Sequence, residues 1–346
     1  MPAAKDVTVD DLDLRLIDAL QLRPRASWTS LAGVLGSSAV TLSRRWDRLR
    51  ESGAAWMTVA PDLSTGHGSL AMGMALVEVQ VRTGTLHTTA AELALCPEIA
   101  TLEMTSGGRS LMLTVIAGDG EDLAEFLVNR LESMPGVTQI RTHPAPRTLM
   151  DASGWRLRSG DRIRTPATDT HRPVPHPALA AAIARELAQD GRASAAEVGS
   201  RLGLSTRTAR AAIAGLIASG RLRFRTEIAR PLSGWPVCSW YLIRSTPSRR
   251  DTVGRELSQL REVRAVMQTV GTTDLGVVVW MRSLTDVQDL ELSIEAMLPD
   301  VVIQDRALVF RTVKIMGRLL DDRGMATGFV PLPAYIEPPH RRADRG

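Results

Sequence analysis

Lysine is almost missing from this chain: Lys5 and Lys314 stand against forty arginines. Cysteine is equally scarce. Cys96 and Cys238 lie far apart and in no CxxC or Cys/His arrangement, which excludes a disulfide framework and a structural zinc site and leaves them to fill core positions. No uninterrupted apolar run approaches the roughly 18 residues that a membrane span needs. The opening Met1–Asp13 is acidic and polar rather than charged-then-apolar, so a cytoplasmic protein without membrane contact is expected. The six histidines, His67, His87, His143, His171, His176 and His340, are scattered and form no metal-spaced pair or triad set. The expectation is therefore no metal, no cofactor, no catalytic residue and no enzyme.

What is present is an ordinary globular composition, 44% hydrophobic and 23% charged over 346 residues, which excludes disorder as the main state. At roughly 100 to 200 residues per domain the length allows two to four domains. A net charge of +4 is small for this length, and the arginine bias is also what a GC-rich genome produces, so the pI of 9.6 informs only through where the arginines sit.

The chain matches itself. At an offset of 167, Arg25–Gly53 aligns without gaps to Arg192–Gly220 with ten identities, among them Leu35/Leu202, Gly36/Gly203, Ser38/Ser205, Thr41/Thr208 and Leu49/Leu216. A fainter match at an offset of 164 pairs Gly107/Gly271, Leu111/Leu275, Asp122/Asp286, Pro135/Pro299 and Val137/Val301. Each half thus holds two modules in the same order, and the chain reads as a tandem duplication. In the first module Leu12, Leu16 and Leu20, then Leu31, Ala32 and Leu35, then Leu42, Trp46 and Leu49 keep helical spacing. Gly36 permits a tight turn, Ser38 caps the third helix and Gly53 closes it, as in a helix-turn-helix. The second module reads β-α-β-β-α-β: strand 72–81, helix 86–95, strands 99–105 and 111–117, helix 122–134 and strand 137–143. Strands 237–243, 263–270, 275–281 and 301–313, with helix 287–298, repeat this ferredoxin-like pattern. The fold class is α+β, with two winged helix-turn-helix domains alternating with two ferredoxin-like βαββαβ domains. The expected boundaries are helix-turn-helix 8–60, ferredoxin-like 70–147, proline-rich linker 148–175, helix-turn-helix with a basic wing 176–230, ferredoxin-like 235–317 and a tail 318–346.

If Leu42, Trp46 and Leu49 face the core, Thr41, Arg44, Arg45 and Arg48 fall at i, i+3, i+4 and i+7 on a neighbouring face, a cationic stripe suited to a major groove. Arginine's fork takes guanine O6 and N7 or a phosphate, while Ser38, Thr41 and Ser43 can reach phosphates or a thymine methyl. The alternative is a solvated arginine-rich face. In the second copy the stripe becomes Thr208, Ala211, Ala212 and Gly215, and charge moves to Arg207 and Arg210 beside Ser205, then to Arg221, Arg223 and Arg225 on a β-wing. Copy one is expected to read bases and copy two to hold phosphates. The competing view is a relic that binds nothing, in keeping with the mid-helix Gly215, which costs roughly 1 kcal/mol against alanine.

This arrangement resembles the Lrp/AsnC family of transcription regulators in tandem form, from about Val9 to Gly317. The resemblance rests on Asp11-Leu12-Asp13, on Ser43-Arg44-Arg45-Trp46-Asp47-Arg48-Leu49 followed by Glu51-Ser52-Gly53, on Asp190-Gly191-Arg192 and on Arg311-Thr312-Val313-Lys314. It implies a regulator that binds a double-stranded DNA operator and pairs its ferredoxin-like (RAM) domains in homodimers or higher homo-oligomers. It also implies a small-molecule effector, an amino acid or other small metabolite, near the glycine turns. Those turns are Gly107, Gly108, Arg109 and Ser110 in copy one and Gly271, Thr272, Thr273 and Asp274 in copy two. Asp274 would meet a ligand amine and Arg109 an anion, unless both turns are plain hairpins. Siroheme decarboxylases resemble the same duplicated fold and supply the enzymatic alternative, although a decarboxylase has little use for the stripe.

Overall fold

The computed structural model describes residues 7–61, 73–158 and 174–333; the stretch around His67 and the parts of the expected linker and tail at 159–173 and from 334 lie outside the described residues. Asp10 and Asp13 form a reciprocal capping box that starts α1 (Asp11–Leu22). α2 (Trp28–Leu35) ends at Gly36 in the left-handed region, φ 65°, and Ser38 Oγ accepts the Thr41 N–H to start α3 (Ala39–Glu51). The apolar residues at helical spacing, Leu16, Leu20, Leu31, Leu42, Trp46 and Leu49, are all buried. β1 (Ala55–Pro61) follows.

The first ferredoxin-like unit comprises β2 (Met74–Val81), α4 (Leu86–Ala94), β3 (Ile99–Thr105), β4 (Leu111–Ile116), α5 (Gly120–Glu125) with a π-helical continuation Phe126–Leu131, and β5 (Val137–Pro144). β6 (Arg147–Met150) comes next, and then three more helices, α6 (Pro177–Gln189), α7 (Ala195–Leu202) and α8 (Thr206–Ala218), with β7 (Leu222–Ile228). The last unit holds β8 (Val237–Arg244), α9 (Arg250–Leu257), β9 (Val263–Gln268), β10 (Leu275–Met281), α10 (Asp286–Met297) and β11 (Val302–Ile315), and it ends in the hairpin β12 (Arg318–Leu320) and β13 (Ala326–Phe329).

The two ferredoxin-like units interlock. Strand orders β5-β2-β4-β3 and β11-β8-β10-β9 join at β3–β11, because the first part of β11 pairs with β8 and its continuation, Val309–Lys314, pairs with β3. The first unit reciprocates: β5 pairs with β2, and its continuation β6 pairs with β9. Period-two alternation sorts the side chains of β2. Ala75, Val77 and Val79 join the core under helices α4 and α5, whereas Met74 and Leu76 join a central core with Cys238, Trp240 and Trp280 of the other unit. Gly276 lets the units approach there, since a Cβ at that position would collide with Leu76 Cδ1.

The helical domains are joined just as reciprocally. β1 pairs antiparallel with β7, from Ala55 opposite Ile228 to Pro61 opposite Leu222. Arg25 donates to the carbonyls of Gly191 (2.6 Å) and Ala193 (2.8 Å), and Arg192 donates to those of Pro24 (2.6 Å) and Ala26 (2.9 Å). Arg192 also stacks on Trp28 at 3.9 Å.

Three sequence expectations change here. The strand after each third helix does not fold into a separate wing, because its partner is the corresponding strand of the other helical domain. The linker is built in over its first third. β6 completes the sheet, Trp155 is buried edge-on against Trp235 and Trp280, and Trp155 Nε1 donates to the Arg261 carbonyl at 2.9 Å. The tail likewise contributes structure up to the buried Leu332: Ala326 N donates to Gly53 O at 2.9 Å and Arg318 donates to Gln189 O at 2.9 Å, so the β12–β13 hairpin touches both helical domains. Free backbone donors and acceptors at a sheet edge, rather than local composition, recruit these segments.

Arg192→Met leaves two carbonyls without their charged donor and is expected to lower unfolding free energy by about 2–4 kcal/mol, measured in urea. Buried Lys314 donates to the Cys96 carbonyl at 2.8 Å, and burial lowers its ammonium pKa from an ordinary 10.5 to about 8. Between these values the unfolded chain holds more protons than the folded one, so this group makes stability rise from pH 8 to 10.5. The stability difference between wild type and Lys314→Met, followed by urea titration across that window, is expected to show the rise.

Candidate nucleic-acid interface

The α3 stripe divides into two groups with different partners. Arg44 is exposed and, among the described residues, has no ion-pair or hydrogen-bond partner; Thr41 and Val40 are exposed beside it. Thr41 Oγ1 lies 2.8 Å from the capping Ser38 Oγ, and Ser43 is half-buried. Arg45 turns back to the start of α1, donating to Asp10 (2.7 Å) and Asp13 (2.9 Å), and Arg48 donates to Asp13 and to the Thr8 carbonyl (3.1 Å). Asp13 is fully buried. Hydrogen bonds from the Asp13 amide and from Arg45 hold the Asp10 carboxyl below its usual range, and those two carboxylates push the Arg45 pKa up. Arg45 and Arg48 therefore fasten α3 to α1, a structural role beside the one in reading bases that the sequence suggests, and among the described residues leave Arg44 as the unpaired cation of the stripe.

The second helical domain makes the same point in reverse. The positions that match Asp10, Asp13, Arg45 and Arg48 are Pro177, Ala180, Ala212 and Gly215, so the acids and bases vanish together. A buried carboxylate left alone would be expensive, and losing the whole set avoids that state. α8 still presents a cationic face: Arg207 and Arg210 are exposed without partners among the described residues, and Ser205 Oγ caps the Thr208 N–H at 3.1 Å. Arg221 is exposed. Its expected companions are not available as phosphate clamps. Arg223 pairs with Asp151 at 3.3 Å, and Arg225 pairs with the buried Glu227, because β7 is an interior strand contact and not a wing tip.

The glycine turns dock across the unit boundary, with Ser106 N donating to Leu308 O (2.9 Å) and Val270 N donating to Pro144 O (2.8 Å). Gly107 has φ 91° and Gly108 lies in open space. Arg109, however, is buried, 2.7 Å from Glu78 and paired also with Asp305. Glu78 further bonds His143 Nε2 at 2.8 Å. Burial pushes the Glu78 carboxyl up, but the His143 hydrogen bond and the Arg109 charge outweigh it and leave the pKa lowered. Ser110 Oγ accepts the Val81 N–H at 3.2 Å. In the second turn Thr272 is exposed beside Gly271, the Thr273 carbonyl accepts from Thr269 Oγ1 (2.9 Å), and Asp274 accepts from Ser245 N (3.0 Å) and from Arg250. Neither Arg109 as an anion receptor nor Asp274 as an amine receptor is left open by these partners. Glu78 was missed by sequence reasoning, although a carboxylate in the apolar strand run Met74–Val81 was the signal.

Among the described residues no group of three or more His, Cys, Asp or Glu is placed to hold a metal, and no helix is long and apolar enough to cross a membrane.

Family models for an AsnC-type helix-turn-helix domain and a Lrp/AsnC ligand binding domain match residues 9–50 and 74–155. The HTH-type transcriptional regulator LrpA of Pyrococcus abyssi is 28% identical over 135 residues, covering 38% of this chain and 92% of the relative. An uncharacterized HTH-type transcriptional regulator of the same organism is 32% identical over 111 residues, covering 32% of this chain and 68% of the relative. Among solved structures the siroheme decarboxylase NirDL shares the fold over 90% of this chain and 95% of its own, with a TM-score of 0.55 and 14% identity.

Replacing Arg45 and Arg48 together by alanine strands Asp13 in the core and is expected to cost about 3–5 kcal/mol of stability. Adding Asp13→Ala should restore most of that loss in the same urea assay. If the triple variant is no more stable than the double, the fastening role is wrong.

Proposed function

Because the chain belongs to the Lrp/AsnC family of transcriptional regulators, we propose that it is a cytoplasmic, sequence-specific binder of double-stranded DNA and not an enzyme. In this reading the chain is a tandem duplication that carries a paired reading head within one molecule. The observation that carries it is the reciprocal Arg25/Arg192 exchange together with the β1–β7 pair, which sets α3 and α8 in a fixed relation. A two-fold arrangement of recognition helices suits two operator half-sites. The faces differ: Val40, Thr41 and Arg44 on α3 against Arg207, Thr208 and Arg210 on α8. Arginine can take guanine O6 and N7 and Val40 a thymine methyl, so the two half-sites would differ in sequence. A homodimer or higher homo-oligomer would be an assembly of such heads. A small-molecule effector would act by favouring one placement of the head against the ferredoxin-like sheet, with a coupling no larger than its differential affinity for the two placements.

Fold likeness to NirDL over most of the chain is the one observation that favours a siroheme-decarboxylase-like enzyme. An absorbance band near the porphyrin Soret position in purified protein would favour that reading.

Selection of bound sequences from random DNA, followed by fluorescence anisotropy, tests the proposal. Arg44→Ala is expected to weaken binding by about 1–3 kcal/mol and to relax preference at one half-site, and Arg207→Ala with Arg210→Ala to do so at the other. Recovery of no preferred sequence, or identical loss of preference in both variants, contradicts it.

A further inference from the structure

A cleft lies where the strand pair of the helical domains, the ferredoxin-like sheet and the β12–β13 hairpin meet. It takes in about 510 Å³ including its open mouth. Its walls bring together Trp56 of β1, Trp280 of β10 and Phe310 of β11, three of the chain's thirteen aromatic residues. Phe310 is 66% exposed, a large apolar ring left at the mouth. Arg230 and Arg311 stand among them.

The buried carboxylate of these walls is already taken. Both oxygens of the buried Glu227 accept from Arg264 at 2.9 Å, and Arg225 pairs with the same carboxylate. Asp322 pairs with Arg311 at the mouth, but its side chain is 84% exposed, so a ligand carboxylate on Arg311 has only a solvent-screened surface pair to displace, unlike the buried pair of Arg109. The buried polar atoms of the lining that lack a partner are Trp56 Nε1, on a side chain 4% exposed, and Arg311 Nε. Both are donors. Orphaned donors beside aromatic faces call for an acceptor-bearing, flat partner. We propose that this cleft is a binding site for a small aromatic carboxylate, its ring among Trp56, Trp280 and Phe310 and its carboxylate toward Arg311. The cleft is separate from the glycine turns at 107–110 and 271–274 and draws on residues outside the stretch 74–155 matched by the ligand binding model.

The position also assigns a consequence, which rests on the DNA-binding reading above. Trp56 and Ile228 belong to the head, Phe310 and Thr312 to the sheet, and Gly324 to the hairpin whose neighbour Ala326 bonds Gly53. A molecule seated there touches all three parts and favours the placement that closes around it.

Calorimetric titration of the full chain with indole-3-carboxylate and with benzoate, and with benzylamine as the cationic control, tests the site. One carboxylate is expected to bind per chain, at least tenfold more weakly in Arg311→Gln and in Phe310→Ala, and benzylamine not at all. Both variants alter surface-accessible side chains, and thermal melting checks that they fold. No binding of either acid at millimolar concentration, equal binding in both folded variants, or equal binding of benzylamine overturns the proposal. Anisotropy with and without the acid separates the two readings: acid binding without DNA binding removes the regulator and keeps the site, and DNA binding without acid binding does the reverse.

Discussion

Two guanidinium groups, each taking the carbonyls on either side of the other, hold the halves of this molecule in register. Arg25 and Arg192 occupy matching positions, so their charges lie close and repel, and both are partly withdrawn from water. Burial first and that repulsion second pull the Arg192 pKa down to about 10. Four carbonyl acceptors and the Trp28 ring make the arrangement tolerable. A single arginine reaching across would leave its own flanking carbonyls open; only the exchange satisfies both loops. Once it is made, β1 and β7 lie side by side and α3 and α8 have one relation to each other.

The sheet obeys the same constraint on a larger scale. Each ferredoxin-like unit ends in a strand that continues onto the second strand of the other, through β11 onto β3 and through β6 onto β9. Neither edge could be completed by one unit alone, and an open edge is a standing invitation to foreign strands. Pairing within one chain removes the concentration dependence that such a contact has between separate subunits.

Elements with strong periodicity were legible in the sequence: the three helices of the first helix-turn-helix segment, the cap Ser38, and the βαββαβ order of both units. What was not legible was partnership. The spacing of Thr41, Arg44, Arg45 and Arg48 fits a groove and fits a return to α1 equally well, because a helix face does not say what lies opposite it. The discriminating fact was available in the aligned halves, where Asp10 and Asp13 disappear together with Arg45 and Arg48. Segments 148–158 and 318–333 fall in the stretches read as linker and tail, the linker because six prolines and many polar residues lie between Pro144 and Pro177. Apart from the local pairing of β11, β12 and β13, their structure comes from edges distant in the sequence, a tertiary cause that local composition does not carry.

The buried charges sharpen this picture. Between the units the apolar core is shared and nearly symmetric, but the ionised and polar groups set into it are not. Glu78, Glu103, Arg264 and Lys314 are buried, and the matching positions hold Leu242, Met267, Ala100 and Met150. Three are satisfied across the boundary between the units: Glu78 through Arg109 to Asp305, Glu103 by Trp240 Nε1 at 2.6 Å and Lys314 by the Cys96 carbonyl at 2.8 Å; Arg264 is held by Glu227 of β7 at 2.9 Å. Buried ion pairs contribute little net stability over apolar replacements, but a lone buried charge costs several kcal/mol. Two halves with related strands could pair in more than one register. Any arrangement other than the one observed separates these groups from their partners, so the asymmetric polar contacts choose among pairings that the apolar core alone would leave close in energy.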